Sequence, residues 1–429
     1  MTICYYVIGR KYILQNPSPE RPITGANRRL AFRLIQNTFG GLLIFSKTRS
    51  LRSIHMKKIN VGLIGFGYIG KIHTIAYRDI ALALGQPKAV PHLAALLRSR
   101  LDTESEAMQG AGFMLTTTDP DEFYAQALDM VDICTPNFLH LEQCQRAFQA
   151  GAAVYCEKPL AKDLEEALKL VEMAAQAQAI TQVAFVMRYI PAIRQMKALI
   201  EAGEIGEVFS FRGHMYHGSY LDPNRPMSWR LRMSESGGGA FMDLGAHLVD
   251  LTHYLLGEVA SVRADMRTFI GQRPIAKGSD KTETVDVDDW TTCVLELKRG
   301  AVGTIEATRM AAGAHEDSVF QVFGSKGALH YAESNPNSVR LYSLKRGDWI
   351  TGPGDIPAIP GERPVDQLWP SGKYSQGSFT NAHLAAEYDF LLNVAENRPS
   401  QVDFRAGAAA QAVVEAATIS ARRGGELYK

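Results

Sequence analysis

The sequence predicts an α/β protein in two parts: a doubly wound parallel sheet, then a second α/β unit with a sheet of its own. Three observations carry that reading. Within 59–84 a short apolar run enters a glycine-rich turn that opens a helix, and strand-like and helix-like segments then alternate as far as 178. From Thr181 the pattern changes to longer runs of alternating apolar and polar residues, separated by turn signals.

Residues 1–55 stand apart from that pattern. The chain of 429 residues carries 46 Lys and Arg against 45 Asp and Glu, yet 1–55 hold nine of the basic side chains and a single acid, Glu20. From Met56 onward 37 basic residues face 44 acidic ones. The favoured reading of this basic leader is an upstream extension from a mispredicted start, because Met56-Lys57-Lys58 runs straight into an apolar strand. The alternative is a targeting segment, which an Arg-rich, acid-poor composition also fits. The acidic remainder lacks the basic stripe that binding a phosphate backbone requires, so nucleic acid is not an expected partner. No apolar run approaches the ~20 residues of a membrane-spanning helix, and no membrane association is expected. Five cysteines, Cys4, Cys134, Cys144, Cys156 and Cys293, stand at no metal-like spacing. They point to a reducing, cytoplasmic setting and to no metal site. A composition 46% hydrophobic and 21% charged is that of a globular protein and excludes collagen and disorder.

The first strand, 59–64, ends in Gly65-Phe66-Gly67-Tyr68-Ile69-Gly70, and Ile72, Ala76 and Ile80 then recur every four residues through a helix over 71–84. A G-x-G-x-x-G run is weak by itself and strong between a strand and a helix. Gly65 allows the tight turn, Gly67 lets the backbone approach a pyrophosphate, and Gly70 lets helix and strand pack closely. Amides at the helix N-terminus attract the phosphate charge. Residues 56–180 are therefore expected to be a Rossmann domain binding NAD or NADP. Its second strand, 93–97, is followed by Arg98-Ser99-Arg100, where such domains usually place an acid for the adenosine ribose. Arg98, helped by Ser99, tilts the expected preference towards NADP; the competing reading makes these arginines solvated surface charges.

A helical segment at 121–127, a strand at 130–134, a helix at 139–150, a strand at 152–156 and a helix at 164–178 complete the parallel sheet. Ligands of such sheets bind at the carboxyl ends of the strands. Two of those ends carry polar clusters, Thr135-Pro136-Asn137-Phe138-Leu139-His140 and Glu157-Lys158-Pro159. The second unit, 181–429, is expected to hold strands at 208–216, 287–297, 303–308 and 319–323. A Gly- and Pro-rich loop or arm follows at 352–377, and helices at 383–397 and 406–421 close the chain. Between the first two strands, Gly237-Gly238-Gly239 precedes a predicted helix over 240–256. That helix sets Asp243 and His247 four residues apart on one face. His214 and His217 fall on opposite faces of a strand and make poor metal partners.

The combination of the glycine fingerprint, Thr135-Pro136-Asn137 to His140, Glu157-Lys158-Pro159, and Gly237-Gly238-Gly239 to Asp243-Leu244-Gly245-Ala246-His247 resembles the glucose-fructose oxidoreductase, inositol dehydrogenase and rhizopine-catabolism family of NAD(P)-dependent oxidoreductases. The likeness runs from about Lys57 to the C-terminus. It implies an N-terminal Rossmann domain and a C-terminal α/β domain with an open, mostly antiparallel sheet that forms homodimers or homotetramers. It also implies oxidation of a secondary hydroxyl of a sugar, sugar derivative or cyclitol. Such chemistry needs a base, a cation near the developing alkoxide and an orienting acceptor. By resemblance His247 moves the proton, Lys158 binds the reacting oxygen, and Asp243 orients the base or shares the relay.

The same resemblance implies cofactor contacts from Thr135, Pro136, Asn137, His140, Glu157, Lys158 and Arg188, and substrate contacts from Tyr189 and Trp229. Asp288 and Asp289 either bind sugar hydroxyls or flank a turn. Two further functions stay open, an NAD-assisted glycoside hydrolase and a catalytically silent regulator that binds dinucleotide. Retention of both Lys158 and His247 speaks against the silent regulator.

Overall fold

Strands β3 (Lys57–Ile64), β4 (Ala89–Leu97), β5 (Leu115–Thr117), β6 (Met130–Ile133), β7 (Ala153–Cys156) and β8 (Thr181–Val183) pair in parallel in the order β5-β4-β3-β6-β7-β8. The buried, mostly apolar residues 61–64, 93–96, 130–133 and 153–156 of the four middle strands are what a sheet covered on both faces needs. The order reverses between β3 and β6, so a crevice opens above their carboxyl ends, where ligands of such sheets bind. This computed structural model describes residues 3–7, 10–14, 56–101, 110–315, 317–352 and 358–429.

The chain divides into two units, Met1–Ser53 and Ile54–Lys429. In the first, β1 (Ile3–Val7) and β2 (Arg10–Leu14) form an antiparallel hairpin. The other residues of the leader lie outside the described residues.

In the second unit, β9 (Val208–Tyr216), β10 (Val259–Arg267), β13 (Trp290–Leu297), β14 (Val302–Thr308), β15 (Asp317–Gly324), β16 (Gly327–Ala332), β17 (Arg340–Ser343) and β18 (Asp348–Thr351) form one sheet in the order β10-β13-β14-β9-β15-β16-β17-β18. Only the β14–β9 pair is parallel, so the sheet is mostly antiparallel, as expected. A small hairpin joins β11 (Gln272–Pro274) to β12 (Thr282–Thr284). The helices Ser378–Glu396 and Phe404–Arg422 close the chain, and the first is buried along most of its length.

Two expected elements take a different form. The helix expected at 121–127 is confined to Pro120–Tyr124: Asp119 caps its start, and Ala127, at φ 48°, turns the chain into the left-handed region. The helix expected at 240–256 is a π turn over Phe241–Gly245 followed by an α-helix over Ala246–Leu256. The Phe241 ring lies against the backbone of Gly245, where a Cβ would come within 2.2 Å of it. Asp288 caps this start by accepting from the amides of Gly239 and Phe241, each at 2.8 Å. Asp289 accepts from the amides of Phe269 and Ile270. Both aspartates hold turns in place, which is the second of the roles weighed for them.

Candidate active site

A cleft of about 900 Å³ runs from the glycine turn to the start of the π turn. At one end the chain turns at Gly65, whose φ of +91° is the left-handed conformation that glycine adopts without cost. Gly70 packs so closely that a Cβ would come within 2.2 Å of the Gly65 carbonyl oxygen, whereas a Cβ on Gly67 would meet open space. The helix Tyr68–Ala83 starts there without a side-chain cap at Gly67. Gly65, Phe66, Gly67, Tyr68 and Ile69 line the cleft, as do Arg98, Ser99, Arg100, Thr135, Pro136 and Asn137. The Arg98 guanidinium lies 5.9 Å from the centroid of the Phe66 ring. Asn137 also donates its side-chain amide to the Ser236 carbonyl oxygen at 2.7 Å.

At the other end Lys158, Asp243 and His247 line the same cleft. Lys158 arrives from the end of β7, before a cis peptide to Pro159. Its Nζ donates to Asp243 Oδ1 at 2.8 Å and to the Asp243 carbonyl oxygen at 3.2 Å. Asp243 Oδ2 accepts from Arg309 Nη2 at 2.9 Å. Burial would raise the Asp243 carboxyl; the charges of Lys158 and then Arg309 outweigh it and hold the group well below the usual carboxylate range. His247 is pushed down to about 3, first by burial and then by Lys158. Its Nδ1 is buried and meets no hydrogen-bond partner among the described residues. Asp243 thus spends both oxygens on cations, and among the described hydrogen bonds none joins it to His247.

Glu157 lines the cleft too, with Oε2 accepting from the amide of Lys158 and Oε1 bonded to His73 Nε2 at 3.1 Å. The other His73 nitrogen meets Asp132 Oδ2 at 2.9 Å, and Tyr77 donates to the same oxygen. His73 is raised well above its ordinary value, because Asp132 and other neighbouring acids outweigh the opposing effect of burial. The polar atoms of His73, Glu157 and His383, and of His73, Asp132 and Cys134, cluster closely, but an imidazolium that donates from both nitrogens has no lone pair with which to ligate a metal. The distances to both carboxylates are those of an imidazolium donating from each nitrogen.

Three expected contacts lie elsewhere. Arg188 forms a buried ion pair with Asp250, at 2.5 Å, and stacks on Tyr254. Tyr189 donates to Asp389 at 2.9 Å and accepts from Gln182. His140 is enclosed by the carbonyl oxygens of Thr135, Pro159 and Leu160, so it braces two loops. None of these three is among the residues lining the cleft, whereas Trp229 is. The cleft also contains Arg309 and His383, which the sequence reading did not single out, and His217, which it weighed only as a metal partner. Arg309 follows β14 and His383 lies in a distant helix, and no local spacing marks either one.

Known proteins resemble the chain over both regions. Residues 59–185 match the oxidoreductase family with an NAD-binding Rossmann fold, and 193–330 match the GFO/IDH/MocA C-terminal domain. Levoglucosan dehydrogenase of Pseudarthrobacter phenanthrenivorans is 32% identical over 370 residues, covering 82% of this chain and 93% of that protein. Inositol 2-dehydrogenase of Rhizobium meliloti is 30% identical, covering 69% of this chain and 81% of the relative. A levoglucosan dehydrogenase structure in complex with NADH and L-sorbose superposes with a TM-score of 0.79 at 30% identity, covering 87% of this chain and 98% of that one.

Proposed function

The chain belongs to the GFO/IDH/MocA family of oxidoreductases, and from that premise we propose that it oxidises a secondary hydroxyl of a sugar, sugar derivative or cyclitol. One observation carries the reading: Lys158, Asp243 and His247 converge in the cleft that also contains the glycine fingerprint. The cleft fits a dinucleotide, since the open space before Gly67 and the uncapped helix start offer a cradle for a pyrophosphate. When bound, the nicotinamide supplies the carbon that takes the hydride. In this reading residues 56–180 bind the dinucleotide, and 181–429 supply the substrate side and the surface for homo-oligomers.

The residues divide the remaining work. His247, held neutral by burial and by Lys158, takes the hydroxyl proton. Lys158, anchored by Asp243, places its ammonium against the reacting oxygen and stabilises negative charge developing there. Trp229 lines the substrate side of the cleft. Arg98 and Ser99 line the other end, which supports a preference for the 2′-phosphate of NADP.

The test incubates the protein with a panel of sugars and cyclitols and either cofactor while absorbance is followed at about 340 nm, the reduced-nicotinamide band. Net reduction of cofactor is the expected result. Glycoside cleavage without net reduction would replace the dehydrogenase with an oxidation-assisted hydrolase, and cofactor binding without either reaction would leave a silent regulator.

A further inference from the structure

Arg309 comes directly after β14 and is 2% exposed. Its backbone is fixed on both sides, donating to the Asp289 carbonyl oxygen at 3.0 Å and accepting from the Tyr220 amide at 3.2 Å. The guanidinium lies 4.8 Å from the centroid of the Tyr220 ring, and its Nη2 reaches Asp243 Oδ2 at 2.9 Å. Asp243 is thereby gripped from two elements, by Lys158 on Oδ1 and by Arg309 on Oδ2.

We propose that Arg309 is a positioning residue: it locks the Asp243 carboxylate in the one rotation that presents Lys158 to the reacting oxygen. The inference rests on the dehydrogenase reading and adds to it a division of labour. A carboxylate with both oxygens held by cations accepts hydrogen bonds and carries no proton, so Asp243 anchors Lys158 and takes no part in proton transfer. Without Arg309, Oδ2 loses the cation that holds it, the carboxylate is free to rotate, and the bond from Lys158 to Oδ1 loses its fixed direction. The groups facing Asp243 are Lys158, Arg309 and Arg230, which favour its charged form, together with the neutral His247 and His217; Asp288 lies near the Arg309 guanidinium.

The experiment uses the full chain with NAD(H) and compares Arg309→Met with Arg309→Lys. Misplacing Lys158 lowers kcat about 10- to 100-fold in Arg309→Met, while NADH affinity, read by fluorescence, stays within about twofold of wild type. Losing one of its cations raises the proton affinity of Asp243, and Arg309→Lys, which keeps the charge, restores it and recovers kcat. Carboxyl ¹³C NMR of aspartate-labelled protein, with the Asp243 signal assigned through Asp243→Asn, follows that titration without turnover. Its midpoint is expected to rise in Arg309→Met and return in Arg309→Lys. An unchanged kcat with an unchanged Asp243 titration in Arg309→Met would overturn the proposal. Absence of turnover in the wild type would defeat the dehydrogenase reading instead, and the ¹³C titration would still decide whether Arg309 holds Asp243.

Discussion

His247 sits beside a lysine and is largely enclosed by protein, and both influences favour its neutral form. An exposed histidine base loses activity as pH falls through about 6.5. Here that limb moves towards about 3, so kcat/KM for alcohol oxidation is expected to stay flat from neutrality down to well below the ordinary histidine range. A pH–rate profile that halves near about 6.5 would contradict this. His247→Ala or Lys158→Ala is expected to lower kcat by about 10²–10⁴ and leave NAD(H) binding intact, the range for a positioned acid–base group. Arg98→Asp is expected to cost roughly 1.5–3 kcal/mol of NADP discrimination, about 10- to 150-fold in relative kcat/KM. An unchanged cofactor ratio would make Arg98 a surface charge. At this scale the sequence disclosed residues that sit within a local motif. Lys158 follows a strand end, and Asp243 and His247 share a short spacing. Arg309 and His383 were not legible, because folding over long separations brings them to the cleft, and His217 was weighed only as a metal partner. Arg188 and Tyr189 misled for the converse reason: a polar pair at a strand end looks the same whether it faces a ligand or pairs with Asp250 and Asp389.

The glycine turn separates folding from binding within a single element. A methyl on Gly70 collides with the Gly65 carbonyl, so Gly70→Ala is expected to destabilise the fold by about 1–3 kcal/mol, as overpacking does. A methyl on Gly67 meets no protein atom, so Gly67→Ala is expected to keep the wild-type melting temperature and weaken NAD(H) binding. Thermal melts and fluorescence titrations of the two variants check this; equal loss of stability in both would place Gly67 in the packing and not in the cradle. The strand–turn–helix was readable because apolar period and glycine spacing agree. The π turn was not, since Gly237-Gly238-Gly239 and the apolar residues after it are as compatible with a plain α-helix. Packing of Phe241 on Gly245 and capping by Asp288, which lies far along the chain, accompany its wider form.

Across the whole molecule, the doubly wound half was legible from simple alternation, whereas the strand order of the second sheet, with its parallel β14–β9 pair, depends on long connections that no local pattern encodes. The outer face of that sheet leaves Val294 and Val302 about half exposed, at 52% and 48%, where a second copy is expected to pack. Light scattering should find dimers or tetramers, and Val294→Asp with Val302→Asp should shift them towards monomers; a monomeric wild type would contradict that surface. His73 ties stability to pH through its carboxylate partners. Its pKa is raised on folding, so its contribution is complete below about pH 6.5 and is lost as pH rises through the folded-state value. The melting temperature is therefore expected to fall on the alkaline side in wild type, and more shallowly in His73→Gln.

The most direct test of the central claim is a crystal structure of the chain with NADH and a sugar or cyclitol that it turns over. The expected result has Lys158 Nζ and a His247 ring nitrogen both within about 3.2 Å of one substrate oxygen, whose carbon faces the nicotinamide. A productive complex in which neither group reaches that oxygen would contradict the account.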